Sequence, residues 1–241
     1  MGKRLFDVVC AAVGLLVAAP VLAVAAVAIR LADRGPVLYR ARRMGRGGRP
    51  FTMYKLRTML VDHGGPGSRV TAAGDPRVFR VGRFLRASKI DEIPQLVNVL
   101  RGEMSIVGPR PEDPDIVLGH YTPTHRETLT VRPGLAGPGS LYHETHCEWC
   151  LGGDDPEAVY LEKILPLKLA LDLVYVRRRS FRYDLAIIAR TLGVVAGKLT
   201  GRRDFPDPPE LAVARGLVAP PRRRALQDAG AVRALSIGKA P

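Results

Sequence analysis

Apolar residues are arranged along this 241-residue chain in three ways, and each predicts a different element. The first is an unbroken run. From Val8 to Ile29 no charge interrupts 22 residues, enough to cross a bilayer core. Pro20 lies near the middle, and a central proline frees backbone groups and bends a helix. Lys3-Arg4 flank one end, and Arg30, Arg34, Arg40, Arg42 and Arg43 the other. Basic flanks stay on the cytoplasmic face. A re-entrant helix that bends at Pro20, dips into one leaflet and returns satisfies both. A straight span leaves one flank on the wrong side, and a secretory signal would be followed at once by Arg-rich sequence. Both stay open as alternatives.

The second arrangement is short and strand-like. Val37 to Ala41 and Phe51 to Leu56 enclose Gly45-Arg46-Gly47-Gly48, which predicts a hairpin. The third repeats with helical period. Val78, Val81 and Leu85 fall on one face and Arg77, Arg80, Arg83 and Arg86 on another, predicting an amphipathic helix able to lie on an anionic membrane surface. Pro156 to Tyr175 and Tyr183 to Leu199 are further helices, and Glu112 to His120 begins another. Asp184 and Arg190 make the Tyr183–Leu199 helix packed or interfacial, not a span. Asp62 to Asp75 is a Gly-rich loop, without the Gly-Lys-Ser/Thr that a phosphate loop needs. No internal repeat is present. The fold class is therefore α+β and predominantly helical. Residues 1–34 form the bent membrane helix, 35–201 a cytosolic domain with interfacial helices, and 202–241 a flexible basic tail.

Charge narrows the partners. The net charge is +14, and residues 30–57 hold nine Lys/Arg against Asp33 alone. An anionic partner follows: nucleic acid, acidic lipid or a phosphorylated substrate. Basic side chains on the hairpin suit anionic membrane lipid. Little aromatic interleaving argues against nucleic acid. Three cysteines make no disulfide framework and suit a reducing compartment. His143, His146, Cys147 and Cys150 crowd into eight residues without a distant second pair, so they read as a local loop ahead of a zinc site.

The chemistry gathers between Arg86 and Pro111. Asp91 and Glu92 stand just before Pro94, which fits only the first turn of a helix. The apolar run behind it ends at Arg101-Gly102. This places both acids at a positive helix end, with Arg86 before it and Arg110 after it. Lys55 and Arg57 could add cations. Acids and arginines so arranged suit a metal–phosphate site; an N-capping Asp with a solvated Glu is the alternative. Val131 to Gly139 is a rigid glycine-rich loop whose backbone can approach a ligand closely.

Taken together, the motifs resemble the bacterial sugar transferase family, the small monotopic polyprenyl-phosphate phosphoglycosyl transferases. The markers run from Lys3-Arg4-Leu5-Phe6-Asp7 and Gly35-Pro36-Val37 through Tyr54-Lys55-Leu56-Arg57-Thr58-Met59 and Gly82-Arg83-Phe84-Leu85-Arg86. They continue through Ile90-Asp91-Glu92-Ile93-Pro94-Gln95-Leu96, Asn98-Val99-Leu100-Arg101-Gly102-Glu103-Met104-Ser105, Val107-Gly108-Pro109-Arg110-Pro111 and Arg132-Pro133-Gly134. The resemblance implies transfer of sugar 1-phosphate from a UDP-sugar to a polyprenyl phosphate such as undecaprenyl phosphate. This would occur at the cytoplasmic face of a bacterial inner membrane and initiate exopolysaccharide, capsule, O-antigen or glycoprotein glycan assembly. It implies Asp91 as nucleophile, Mg²⁺ held at Asp91 and Glu92, phosphate-binding Arg86 and Arg110, and Pro20 as the helix break. It also admits a homo-oligomer. Ala19 stands where the family often has Ser, and the His143–Cys150 segment and the tail depart from its pattern. A membrane-anchored nucleic-acid-binding protein and a non-catalytic scaffold are the readings from other classes, and both leave the acid pair without a role.

Overall fold

The computed structural model describes residues 2–60, 75–147 and 155–218. The expected Asp62–Asp75 loop, Cys150 and the end of the tail lie almost wholly outside these residues. The fold is α+β and predominantly helical, with two small two-stranded sheets among the described residues.

Helix α1, Gly2–Ala32, is helical throughout. Pro20 lies inside it on an exposed face and removes one N–H donor without interrupting the helix, so the expected break is not a gap in helical structure. One stripe of α1 faces the rest of the protein along its whole length. Near its start, Arg4 donates to the Val99 and Leu100 carbonyls at 2.6 and 2.9 Å, while buried Asp7 accepts from Ser105 Oγ and the Ile106 amide at 2.9–3.0 Å. Near its end, Ala25 and Ile29 pack with Leu56 and Leu85. A 31-residue helix is about 46 Å long. A straight span would carry one end far from a body on one side of the membrane, whereas here both ends are fixed to the same body. The outward side carries Leu5, Leu16, Val17, Val24 and Leu31, all exposed.

Strands β1 (Leu38–Met44) and β2 (Pro50–Leu56) form the expected antiparallel hairpin, with Leu38 opposite Leu56 and Met44 opposite Pro50. β1 outlasts its apolar stretch because Ala41, on the face opposite exposed Arg40 and Arg42, enters the core, and Met44 at the strand's end is buried beside Ile116, Val117 and Tyr121. Ala41 and Met53 then pack on Ala11, Val99 and Met104.

Helix α2 is Arg80–Ala87. Its basic stripe is split. Arg77 is paired with Asp75 at 2.7 Å and Arg86 turns inward to Thr58 Oγ1 at 2.8 Å, leaving Arg80 and Arg83 exposed beside exposed Phe84. Gly82 is where α2 crosses the end of β2, and a Cβ there would collide with the Thr58 carbonyl. Gly82→Ala should therefore cost at least about 1–3 kcal/mol of stability, read by denaturant unfolding, and should displace the turn that carries Arg86. Unchanged stability would show that the two elements can separate freely.

Helix α3 (Gln95–Arg101) is sewn to β2 by fully buried Asn98, which donates to the Thr52 carbonyl at 2.7 Å and accepts from the Tyr54 amide at 3.1 Å. β3 (Ser105–Val107) pairs in parallel with β4 (Gly134–Ala136), and between them in sequence lies α4 (Pro114–His120), capped by Asp113. The close backbone approach expected of Val131–Gly139 is made to the chain itself: a Cβ on Gly134 would collide with Gly108.

Short helices α5 (Pro138–Tyr142) and α6 (Pro156–Val159) lead to α7 (Leu165–Arg178), most of which is buried. α8 (Phe181–Leu199) follows. The stretch from Arg202, expected as flexible tail, carries α9 (Leu211–Leu217), which packs on α7 through buried Ala214 and is anchored further by buried Leu211. Glu210 there accepts from Tyr183 at 2.6 Å and pairs with Arg190 at 2.7 Å. A basic average composition concealed these few anchoring residues, and the folded body extends at least to Val218.

Candidate active site

Asp91 and Glu92 occupy a 3₁₀ turn, Ile90–Glu92, ahead of α3. Pro94 takes the N-cap position of α3 and no side chain caps that helix, so the capping alternative for Asp91 does not hold. The helix start expected near Asp91 lies further on because a 3₁₀ turn accommodates the residues before Pro94. Lys89 enters the turn with φ 59°, the sole non-glycine residue with positive φ among the described residues. Such a conformation costs about 1–3 kcal/mol and persists where surrounding contacts impose it. Here the Lys89 carbonyl accepts from the Glu92 amide at 3.1 Å, and its ammonium pairs with Glu144 at 2.6 Å.

The two acids have different surroundings. Both Glu92 oxygens are engaged: Lys55 binds Oε1 at 2.9 Å, Arg110 Nη1 binds Oε2 at 3.1 Å, and Arg110 Nη2 binds Oε1. Burial pushes Glu92 up, but Arg110, Lys55 and Lys89 outweigh it and hold it well below the usual range. Asp91 is 6% exposed, and its Oδ1 has no hydrogen-bond partner. Burial first, then neighbouring Glu92, pushes Asp91 up to about 6 against the pull of Lys55, Lys89 and Arg86. Environment thus separates adjacent carboxylates into one held ionised and one poised near neutrality. Burial lowers Arg86, which Asp91, Asp75 and Glu92 partly offset, and burial likewise lowers Lys55.

Of the expected residues, Asp91, Glu92, Lys55, Arg86 and Arg110 come together. Arg57 does not. Its guanidinium is bound to the Asp33 carboxylate and to the Asp33 and Pro36 carbonyls, where it ties the end of α1 to the end of β2. Lys89, Glu144, Thr58 and Gln95 escaped sequence reasoning. Gln95 is fully buried with neither amide atom hydrogen-bonded. Glu144 comes from the His143–Cys147 turn, where His146 stacks on Tyr142 at 4.8 Å and lies 3.2 Å from Asp207.

Among the described residues no three His, Cys, Asp or Glu gather as a metal cage. Mg²⁺ needs none, since it is commonly held by one or two carboxylates together with substrate phosphates. The Asp91 and Glu92 carboxylates, side by side, fit such a phosphate-borne ion, with Asp91 Oδ1 left unpartnered. The four cations around them fit a diphosphate.

Residues 1–198 match a family model described as bacterial sugar transferase. A UDP-glucose:undecaprenyl-phosphate glucose-1-phosphate transferase of Caulobacter vibrioides is 42% identical over 79% of this chain and 68% of its own length. An undecaprenyl-phosphate glucose phosphotransferase of Komagataeibacter xylinus is 39% identical over 79% of this chain. A UDP-N-acetylgalactosamine-undecaprenyl-phosphate N-acetylgalactosaminephosphotransferase of Aeromonas hydrophila is 33% identical over 83% of it. The chain spans 35% and 44% of the latter two relatives.

Proposed function

This chain belongs to the bacterial sugar transferase family, and from that premise we propose that it moves sugar 1-phosphate from a UDP-sugar to undecaprenyl phosphate through a covalent phospho-aspartyl sugar. The observation that carries this reading is Asp91: buried, with a free oxygen, and ringed by Lys55, Arg86, Lys89 and Arg110.

A carboxylate attacks phosphorus when the phosphate charge is neutralised. Asp91 Oδ1 attacks the sugar-bearing phosphorus, and the bond to UMP breaks. The acceptor phosphate oxygen then attacks the same phosphorus, the Asp91–phosphorus bond breaks, and polyprenyl diphosphate sugar forms. Two steps let a soluble donor and a membrane-held acceptor use one site in turn. Arg86, Lys55 and Arg110 bind donor phosphate, and Arg110 also orients Glu92. Mg²⁺, held by Asp91 and Glu92, would offset the negative charge on the diphosphate.

Membrane placement is part of the proposal. The apolar outer side of α1, the attachment of both its ends to one body, and exposed Arg80, Arg83 and Phe84 support a monotopic arrangement in which α1 presents its apolar side to one leaflet without crossing the membrane. The catalytic domain would then face the cytoplasm at the inner membrane, against anionic lipid.

The test is UMP release by detergent-solubilised protein given undecaprenyl phosphate, Mg²⁺ and a panel of UDP-sugars, with UDP-glucose and UDP-N-acetylgalactosamine first. A labelled adduct should form with UDP-sugar alone and be discharged on adding acceptor. Chelation should lower the rate on the order of 10²-fold or more, and Mg²⁺ should restore it. No UMP with any sugar overturns the reading, and turnover without an adduct overturns its covalent step.

A further inference from the structure

Behind the site lies a buried polar network that no step of the proposed reaction uses. Helix α7 presents Lys168 and Asp172 one turn apart, both buried. Lys168 Nζ is hydrogen-bonded to Glu112 Oε1 and lies 2.8 Å from Tyr160 OH, which itself donates to Glu112 Oε1 at 2.6 Å. Asp172 Oδ1 accepts from the Gly139 amide at 3.1 Å. Burial pushes Asp172 up to about 7, opposed first by Lys168 and then by the Gly139 amide. The segment Pro109-Arg110-Pro111-Glu112 is thus gripped from α7 at the Glu112 carboxylate, while Asp172 one turn further along α7 holds the Gly139 amide. Prolines on either side of Arg110 fix two φ angles. At the far end of the same side chain, the guanidinium forks onto Glu92.

Stability alone does not account for this arrangement. A buried ion pair is commonly matched or exceeded in stability by apolar side chains of similar volume. Its distinctive product is a fixed position. We propose that Glu112, Tyr160 and Lys168 are positioning residues that lock the Arg110 segment, so that its guanidinium stays aimed at Glu92 and the substrate diphosphate. This rests on the phosphotransfer reading above.

The test replaces the ionic part of the network by apolar groups, Glu112→Met, Tyr160→Phe and Lys168→Met together, in the full chain. The triple variant should melt within a few degrees of the wild type while kcat falls about 10–100-fold. Adding Arg110→Ala should cost the triple variant little more than a further factor of about 3, although the same change in the wild type costs about 10²–10³-fold. A purely structural network predicts equal costs in both backgrounds, so equal costs overturn the inference. So does a triple variant within about twofold of wild-type turnover. Should the triple variant not fold, Tyr160→Phe alone keeps the ion pair and should still lower kcat about 3–10-fold, an unchanged kcat counting against the inference. Should the wild type release no UMP, the functional reading fails separately. Melting temperatures then decide the network: Arg110→Ala should lower that of the wild type more than that of the triple variant, and equal drops overturn it.

Discussion

Asp91→Asn is expected to abolish turnover and to raise the melting temperature at neutral pH. The first effect follows from removing the attacking oxygen: loss should be on the order of 10⁴-fold or more, with no labelled adduct. The second follows from the folded chain holding Asp91 up to about 6, by burial and then by Glu92. An unfolded aspartate titrates near about 3.9. Between these values the folded protein binds the additional proton. The group therefore costs nothing below about pH 4, and stability falls as pH rises through about 6. At pH 8 the ionised carboxylate costs up to about 3 kcal/mol that an asparagine escapes. Part of this returns because the amide also needs partners, so a gain of a few degrees is expected. It should shrink to nothing near pH 4. Substantial remaining activity would remove Asp91 from the nucleophile's role, and a variant that melts lower at pH 8 would contradict the account of its burial.

Residues that act through local pattern were legible in the sequence. The Gly45–Gly48 turn between alternating strands gave the hairpin, and helical spacing located α2, α7 and α8. The residues from Arg86 to Arg110 left the acid pair open between a helix cap and a phosphate site, and the family resemblance favoured the second; the structure shows no cap and brings Lys55, Arg86 and Arg110 to the two acids. Long-range pairing was not legible. Lys55 and Arg57 look equivalent two residues apart, yet β2 ends at Leu56, and Arg57 swings back to Asp33 while Lys55 stays at Glu92. Lys3, Arg4 and Asp7 read as flanks of a membrane helix, and they are also its tethers to Asp184, the end of α3 and the start of β3. Lys89 carries no propensity for its left-handed conformation, because the contacts that impose it, including Glu144, come from elsewhere. The periodicity of Pro156–Tyr175 located a buried helix without showing that Lys168 and Asp172 belong to its inner face.

Arg110→Ala should lower both activity and stability, the opposite stability response to Asp91→Asn in the same site. Its two terminal nitrogens bind both oxygens of Glu92, a pair largely shut off from solvent. Removing one partner of a buried pair leaves the other charge uncompensated, a loss of about 3–5 kcal/mol in such cases. Lys55 remains at 2.9 Å from Oε1 and Lys89 acts from further away, so the lower part of that range is expected here. Glu92 would also move. Burial already pushes it up, and Arg110 is the foremost group opposing burial. Without that arginine the carboxylate rises toward neutrality and holds a divalent cation less well, so more Mg²⁺ should be needed for half-maximal rate. Turnover should fall about 10²–10³-fold, the usual effect of deleting one preorganised phosphate or oxyanion donor. Arg110→Lys separates charge from geometry: it restores a cation but not the fork, so it should recover stability more fully than rate. If lysine restored the rate completely, charge alone would be sufficient, and the bidentate grip on Glu92 would have no part in aiming the acids at the diphosphate.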